Sequence, residues 1–153
     1  MGAVQFSENI RYILQDINSF YELSSAVDKM RLFLMQNSHQ KLQNNEVHLF
    51  YHLANQHLTL GLPVVGLPDQ TLDEHEIYYQ EDYDQAKIYR TSMGQFNLLQ
   101  YTPSELTSDI EMLIEEVFDV ESPRPEIARV IISDWNTDEK MQEKLLQVDF
   151  FLD

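Results

Sequence analysis

The stretch NEVHLFYHLANQHLTLGLPVVGLP, residues 45–68, decides how the rest of the chain is read. Up to about residue 57 its apolar positions fall at helical spacing: Val47, Phe50, Tyr51, Ala54 and Leu58 line one face, with Leu49 and Leu53 alongside. Gly61-Leu62-Pro63 and Gly66-Leu67-Pro68 then punctuate the chain. Each proline lacks an N–H and restricts the residue before it, so the backbone there is extended or turning. On this reading a helix ends near His57 and a joint follows. Leu62, Val64, Val65 and Leu67 make that joint too apolar for a flexible linker.

On the N-terminal side, Phe6, Ile10, Ile13, Leu14, Ile17 and Tyr21 recur at three and four, which predicts a first helix capped by Ser7. A second opens at Ser24 or Ser25, with Asp28 as a capping-box variant. Val27, Met30 and Leu34 form its stripe, widened by Phe33 and Met35, and Asn37-Ser38-His39 breaks it.

On the C-terminal side, residues 77–79 and 86–90 are short, aromatic and β-branched, with an acidic turn at 81–84. They predict a hairpin. A second turn at 92–95 and a third strand over 96–101 complete an antiparallel meander. Thr102-Pro103-Ser104-Glu105 is the sharpest local signal: a cap, a proline at the first helical position and a capping-box glutamate. The helix it opens carries Leu106, Ile110, Leu113, Ile114 and Val117, and residues 122–125 end it. Residues 127–132 are apolar on both alternations apart from Arg129, as in a strand covered on two faces. Asn136, Thr137 and Glu139 start a last helix with Met141, Leu145 and Val148 on its apolar face. Phe150, Phe151 and Leu152 then dock the chain end. The expected fold is α+β: N-terminal helices, a small mostly antiparallel sheet of a three-strand meander plus one further strand, and two helices of the C-terminal half packed on it. One domain is expected over 1–153, with a helical half at 1–60 and an acidic mixed half at 69–153.

A chain of 153 residues with 43% hydrophobic content can bury a core without staples. Cysteine is absent, which excludes disulfides and thiolate zinc sites. The N-terminus lacks a secretory pattern, and no apolar run is long enough for a membrane helix, so a cytoplasmic, membrane-free protein is expected.

The net charge is −16, and residues 69–121 carry most of it: fourteen carboxylates against Lys87 and Arg90. Such a surface repels phosphate backbones and anionic lipid and attracts basic partners. One acidic group is the hairpin, with Asp73, Glu74, Glu76, Glu81, Asp82 and Asp84. The other is the helix after Thr102, where Glu111, Glu115 and Asp119 follow one another at single turns. Like charges at that spacing, close to a helix C-terminus, cost stability, so their presence points to a partner. A solvated face kept for solubility is the bland alternative. Tyr83 lies among the hairpin carboxylates, and tyrosine with Asp and Glu suits Arg and Lys side chains. These ten residues are the candidate partner-binding set.

His48 and His52, four apart on the expected third helix, are the candidate metal pair. Leu49 stands where a metalloprotease helix would need Glu, and two surface histidines are the commoner reading. No nucleophile elbow, Walker loop or dinucleotide motif is present, so neither a catalytic residue nor a cofactor is assigned. The sequence thus favours a non-enzymatic acidic protein that occupies a basic protein surface, such as that of a nuclease or another nucleic-acid-binding protein, in the manner of an immunity or anti-defence protein, with a nucleic-acid mimic as one form of it. Direct nucleic-acid binding is not expected, and the oligomeric state is open. The alternatives are an acidic secretion-type chaperone dimer, and a metal-dependent enzyme using His48 and His52 or the acidic hairpin.

Overall fold

A computed structural model describes residues 2–19, 22–68, 77–96, 103–118, 124–133, 135 and 144–152. It is built on one antiparallel sheet, and the α+β expectation with N-terminal helices is wrong. Among the described residues there are nine strands and two helices: β1 Ala3–Phe6, β2 Ile10–Ile17, α1 Leu23–Asn37, β3 Lys41–Leu42, β4 Val47–His52, β5 His57–Val65, β6 Tyr79–Tyr83, β7 Lys87–Phe96, α2 Pro103–Val117, β8 Ile127–Ile132 and β9 Lys144–Phe151. The sheet runs β1-β7-β9-β8-β4-β5-β2-β6, with β3 paired to β5.

That order is symmetric about the β4–β8 seam. β2, α1, β4 and β5 form a strand, a helix and a hairpin whose last strand pairs with its first; β7, α2, β8 and β9 repeat the plan. The leading strands are exchanged. β1 precedes β2 but pairs with β7, and β6 precedes β7 but pairs with β2. The links that follow β1 and β6 bind each other: Ser7 N–H donates to the Ala86 carbonyl at 2.8 Å, Ala86 N–H to Ser7 Oγ at 3.0 Å, and Gln85 N–H to Asn9 Oδ1 at 2.6 Å. Because these links leave opposite ends of the sheet, their contact bends it into a trough.

The helices cover the outer face. Val47, Leu49 and Tyr51 of β4, Leu58, Leu60 and Leu62 of β5, and Val130, Val148 and Phe150 of the second half bury against Val27, Met30 and Leu34 of α1 and Leu106, Ile110 and Ile114 of α2. Each such large side chain contributes about 1.5–3 kcal/mol by leaving water. Packing, not capping, holds α1, since Glu22 makes no side-chain cap and its carboxylate accepts from Asn18 N–H instead.

The inner face explains the misread helices. Tyr12, Leu14 and Phe50 form a second apolar cluster there, flanked by Tyr83 and Phe151. Strands β2 and β4 therefore bury side chains on both faces, and a strand apolar on both faces also satisfies a three-and-four pattern. What reads as a first helix is β1 and β2, and what reads as a third is the β4–β5 hairpin. The expected last helix is β9 from residue 144 onward, and its beginning lies outside the described residues. The 77–90 region does form strands, but β6 and β7 pair with other strands and not with each other. The expected turn at 92–95 lies within β7, where the register with β9 shifts between Met93 and Gln95 as at a bulge. The second helix, its break at Ser38, the helix from Pro103 and the strand at Ile127–Ile132 stand as expected. Phe150 is fully buried in the core. Trp135 is also buried there. No described helix is long and apolar enough to cross a membrane.

Candidate functional site

Strand alternation and the antiparallel register bring one row of side chains across the inner face. Arg90 of β7 is opposite Asp149 of β9, Asp149 opposite Arg129 of β8, Arg129 opposite Phe50 of β4, Phe50 opposite Thr59 of β5, and Thr59 opposite Asp16 of β2. The first three form a charge cluster, buried at Asp149 and Arg129 and half-exposed at Arg90. Asp149 is 0% exposed and Arg129 1%. Arg129 donates from Nη2 and Nε to Asp149 Oδ2 at 2.7 and 3.2 Å, and Arg90 donates from Nε to Oδ1 at 2.8 Å and from Nη2 to Oδ2 at 3.0 Å. The Arg129 guanidinium also lies 5.1 Å from the centre of the Phe151 ring.

The chain of hydrogen bonds continues from Arg129. Its Nη1 donates to the Tyr12 hydroxyl at 3.2 Å. That hydroxyl lies 2.6 Å from His48 Nδ1, and His48 Nε2 lies 2.9 Å from Glu46 Oε1. A phenol that already accepts from a guanidinium has its own proton to give, so Nδ1 accepts and Nε2–H donates to Glu46. His48 is thereby a neutral imidazole. Burial, the largest cause, and then Arg129 hold its pKa below the ordinary histidine value, against an opposing pull from Glu46. The hydrogen bond from His48 holds Glu46 below the usual carboxylate range. Burial also raises the Tyr12 phenol well above its ordinary value.

Both ends of this chain open into a cleft of about 380 Å³. Arg90, with 39% of its side chain exposed, and Glu46, with 34%, line it together with Arg129 and His48. Gln5 of β1 and Gln147 of β9 wall it beside Arg90, and with their amide oxygens turned inward they accept from Arg90 Nη1 at 3.2 Å and Nη2 at 3.3 Å. Phe6, Ile10 and Ile131 give it apolar wall, and the exposed Glu8 stands at its rim.

Of the described residues singled out by sequence as site candidates, only His48 lines the cleft. Glu81, Asp82 and Asp84 are exposed on β6 and in the link after it, with Asp82 paired to Arg11 Nε at 2.7 Å. Glu111 and Glu115 are on α2 in the other half of the sheet, and Glu111 pairs with Arg124. Asp73, Glu74, Glu76 and Asp119 lie outside the described residues. The structure does not join the β6 and α2 groups into one patch. Tyr83 turns inward, its ring 4.6 Å from that of Phe50 and 5.3 Å from that of Tyr12. His48 and His52 share a strand face, not a helix face, and four residues of strand separate them by about 13 Å, too far to hold one ion. His52 instead stacks near His57 at 5.7 Å. Among the described residues no group of three His, Asp or Glu could hold a metal.

Sequence reasoning missed Arg90, Arg129, Asp149, Tyr12 and Glu46. One signal was present: Arg129 is the lone charge in an otherwise apolar strand, and a buried arginine needs a partner.

The trough architecture has known counterparts. The chain is similar to the C-terminal domain of EcmrR, with a TM-score of 0.70 at 9% identity over 100% of this chain and 97% of that one. It is similar to EcmrR in a cryo-EM DNA complex, with a TM-score of 0.68 at 10% identity over 98% of this chain; there it spans 56% of the other chain's length. It is similar to SAV2435 bound to tetraphenylphosphonium, with a TM-score of 0.55 at 9% identity over 100% of this chain and 94% of that one. At this very low identity these likenesses show a shared fold. No family model and no curated protein matches the sequence.

Proposed function

We propose that this chain is a small-molecule-binding domain that holds its ligand in the inner-face cleft and serves as the sensing part of a transcription regulator. The carrying observation is the buried chain Arg90–Asp149–Arg129–Tyr12–His48–Glu46 beneath that cleft. Burying the Arg129 guanidinium and the Asp149 carboxylate costs several kcal/mol per ion before pairing, and an apolar core of the same shape would be about as stable or more so. Charges kept in such a place, with both ends open to a cleft, are arranged for recognition. The likeness to SAV2435 bound to tetraphenylphosphonium supports a ligand role for this architecture, and the likeness to EcmrR in a DNA complex supports the regulatory setting. Any DNA contact would then be made by a longer protein of which this chain is the ligand-binding part.

A thermal-shift screen of small molecules, tetraphenylphosphonium included, tests the reading. A ligand that binds only the native state raises stability by about 2.7 kcal/mol at a hundred times its Kd. Gln5→Trp, which fills the cleft from β1, abolishes that shift on this account. A ligand whose shift is unchanged in Gln5→Trp binds elsewhere and contradicts it.

The acidic surface supports a separate proposal, that Glu81, Asp82 and Asp84 engage a basic protein partner. Their exposure along β6 is what supports it. Charge reversal of the three slows association with that partner if the proposal holds. An unchanged rate overturns it.

A further inference from the structure

At the floor of the cleft two guanidiniums share one carboxylate. Arg90 and Arg129 both bind Asp149, so these three groups together carry a net positive charge, which Glu46 and Glu8 face. The carboxylate at the far end of the chain, Glu46, is bonded to a neutral imidazole and not to a guanidinium. The cleft therefore carries separated charge: a cation at Arg90, and an anion at Glu46 reinforced by Glu8 at the rim. Arg129 is committed, with Nε and Nη2 on Asp149 and Nη1 on Tyr12. Arg90 is the more exposed of the two guanidiniums that line the cleft, and the side chains that accept from it there, Gln5 and Gln147, are neutral.

We propose that the cleft takes a small zwitterion of the amino-acid type, its carboxylate on Arg90 and its ammonium on Glu46, with its side chain against Phe6, Ile10 and Ile131. The proposal rests on the ligand-binding reading above and narrows it. A guanidinium is the side chain best shaped to grip a carboxylate, and such charge-assisted hydrogen bonds are about twice as strong as neutral ones. A monocation satisfies Glu46 but meets the excess charge of Arg90. A simple carboxylate satisfies Arg90 but meets Glu46 and Glu8. Only a ligand bearing both charges answers both ends. The volume of about 380 Å³ is near the lower end for ligand pockets and suits a molecule of that size.

Isothermal titration with the common L-amino acids, the amines that lack their carboxylate, the acids that lack their ammonium, and tetraphenylphosphonium tests this directly. At least one amino acid is expected to bind about tenfold or more tighter than its matching amine and its matching acid, a difference of about 1.4 kcal/mol. Arg90→Gln should erase the preference over the amine, and Glu46→Gln the preference over the acid. Arg90→Lys keeps the charge without the planar fork and should retain part of the preference, which guards against a folding defect in Arg90→Gln. An amine, acid or tetraphenylphosphonium that binds as tightly as every amino acid overturns the proposal. So does a preference that survives Arg90→Gln, or the failure of every amino acid to bind. Tetraphenylphosphonium binding as tight as that of every amino acid, and lost in Gln5→Trp, would overturn the zwitterion alone and leave the ligand-binding reading standing; a screen in which no molecule binds the cleft would overturn both.

Discussion

The two halves of the sheet follow one plan and fill their inner faces in opposite ways. The row that crosses them reads Arg90–Asp149–Arg129 in the second half and Phe50–Thr59–Asp16 in the first. About the β4–β8 seam, Phe50 takes the place of Arg129 and Thr59 that of Asp149. The first half is closed by rings: Tyr12, Phe50 and Tyr83 contact one another, and Gly61 makes room for them. The second half has charge where the first has rings, and the cleft lies over the charge. One half of this face is thus built to be stable, and the other holds groups that a stable core does not need.

The largest way to break the contrast is to remove the shared carboxylate. Asp149→Ala leaves two guanidiniums without their counter-ion and should cost about 3–5 kcal/mol in urea unfolding. Replacing Arg129 and Asp149 together by Met and Leu should recover most of that loss while abolishing ligand binding. Recovery of stability with binding intact would remove the functional reading of the pair.

Next in size is the apolar half. A Cβ on Gly61 would stand 3.0 Å from Leu14 Cδ2 and Phe50 Cε2 and 3.1 Å from Tyr12 Cδ1. Gly61→Ala should therefore destabilise by about 1–3 kcal/mol through overpacking. A neutral result by calorimetry would show that these rings yield more easily than their packing implies.

Tyr12→Phe cuts the bridge between the halves. It leaves Arg129 Nη1 and His48 Nδ1 without their shared partner, at a cost of about 1–3 kcal/mol. His48 adds a pH signature. Its folded pKa lies below its unfolded value of 6.5, so the unfolded chain binds the proton first. The contribution is fully present above about pH 6.5 and is lost as pH falls from there toward the folded pKa. His48→Gln should flatten the Tm profile in that window. An equally steep profile would place the proton uptake on another group.

The smallest expected effect is at the surface. Glu111→Gln removes an exposed pair with Arg124 and should change stability by less than about 1 kcal/mol. A larger loss would mean that α2 depends on charge more than on its buried stripe of Leu106, Ile110 and Ile114.

The contrast between the halves also explains what the sequence shows and hides. α1, α2 and β8 are legible because each has a one-sided stripe or a clear boundary: Val27, Met30 and Leu34; the capping signal at Pro103 and Glu105; the apolar run around Arg129. β2, β4 and β5 are not, because Tyr12, Leu14 and Phe50 are buried on the face opposite the helices and blur the alternation that marks a strand. The repeat is invisible because its halves share backbone order and not side chains. The site is hidden because its members come from five strands, and register alone joins Arg90, Asp149 and Arg129. The acidic clusters are conspicuous in sequence because their members are close along the chain, and the described ones, Glu81, Asp82, Asp84, Glu111 and Glu115, do not line the cleft.

The central claim is that the cleft between Arg90 and Glu46 holds a ligand. Amide chemical-shift mapping of the protein titrated with tetraphenylphosphonium and with the amino-acid panel addresses it most directly. The account predicts saturable shifts at Glu46, His48, Arg90 and Gln147, with little change at Leu14 and Thr59. Shifts confined to the ring cluster around Leu14 and Phe50 or to the outer helices, or none with any ligand, would contradict it.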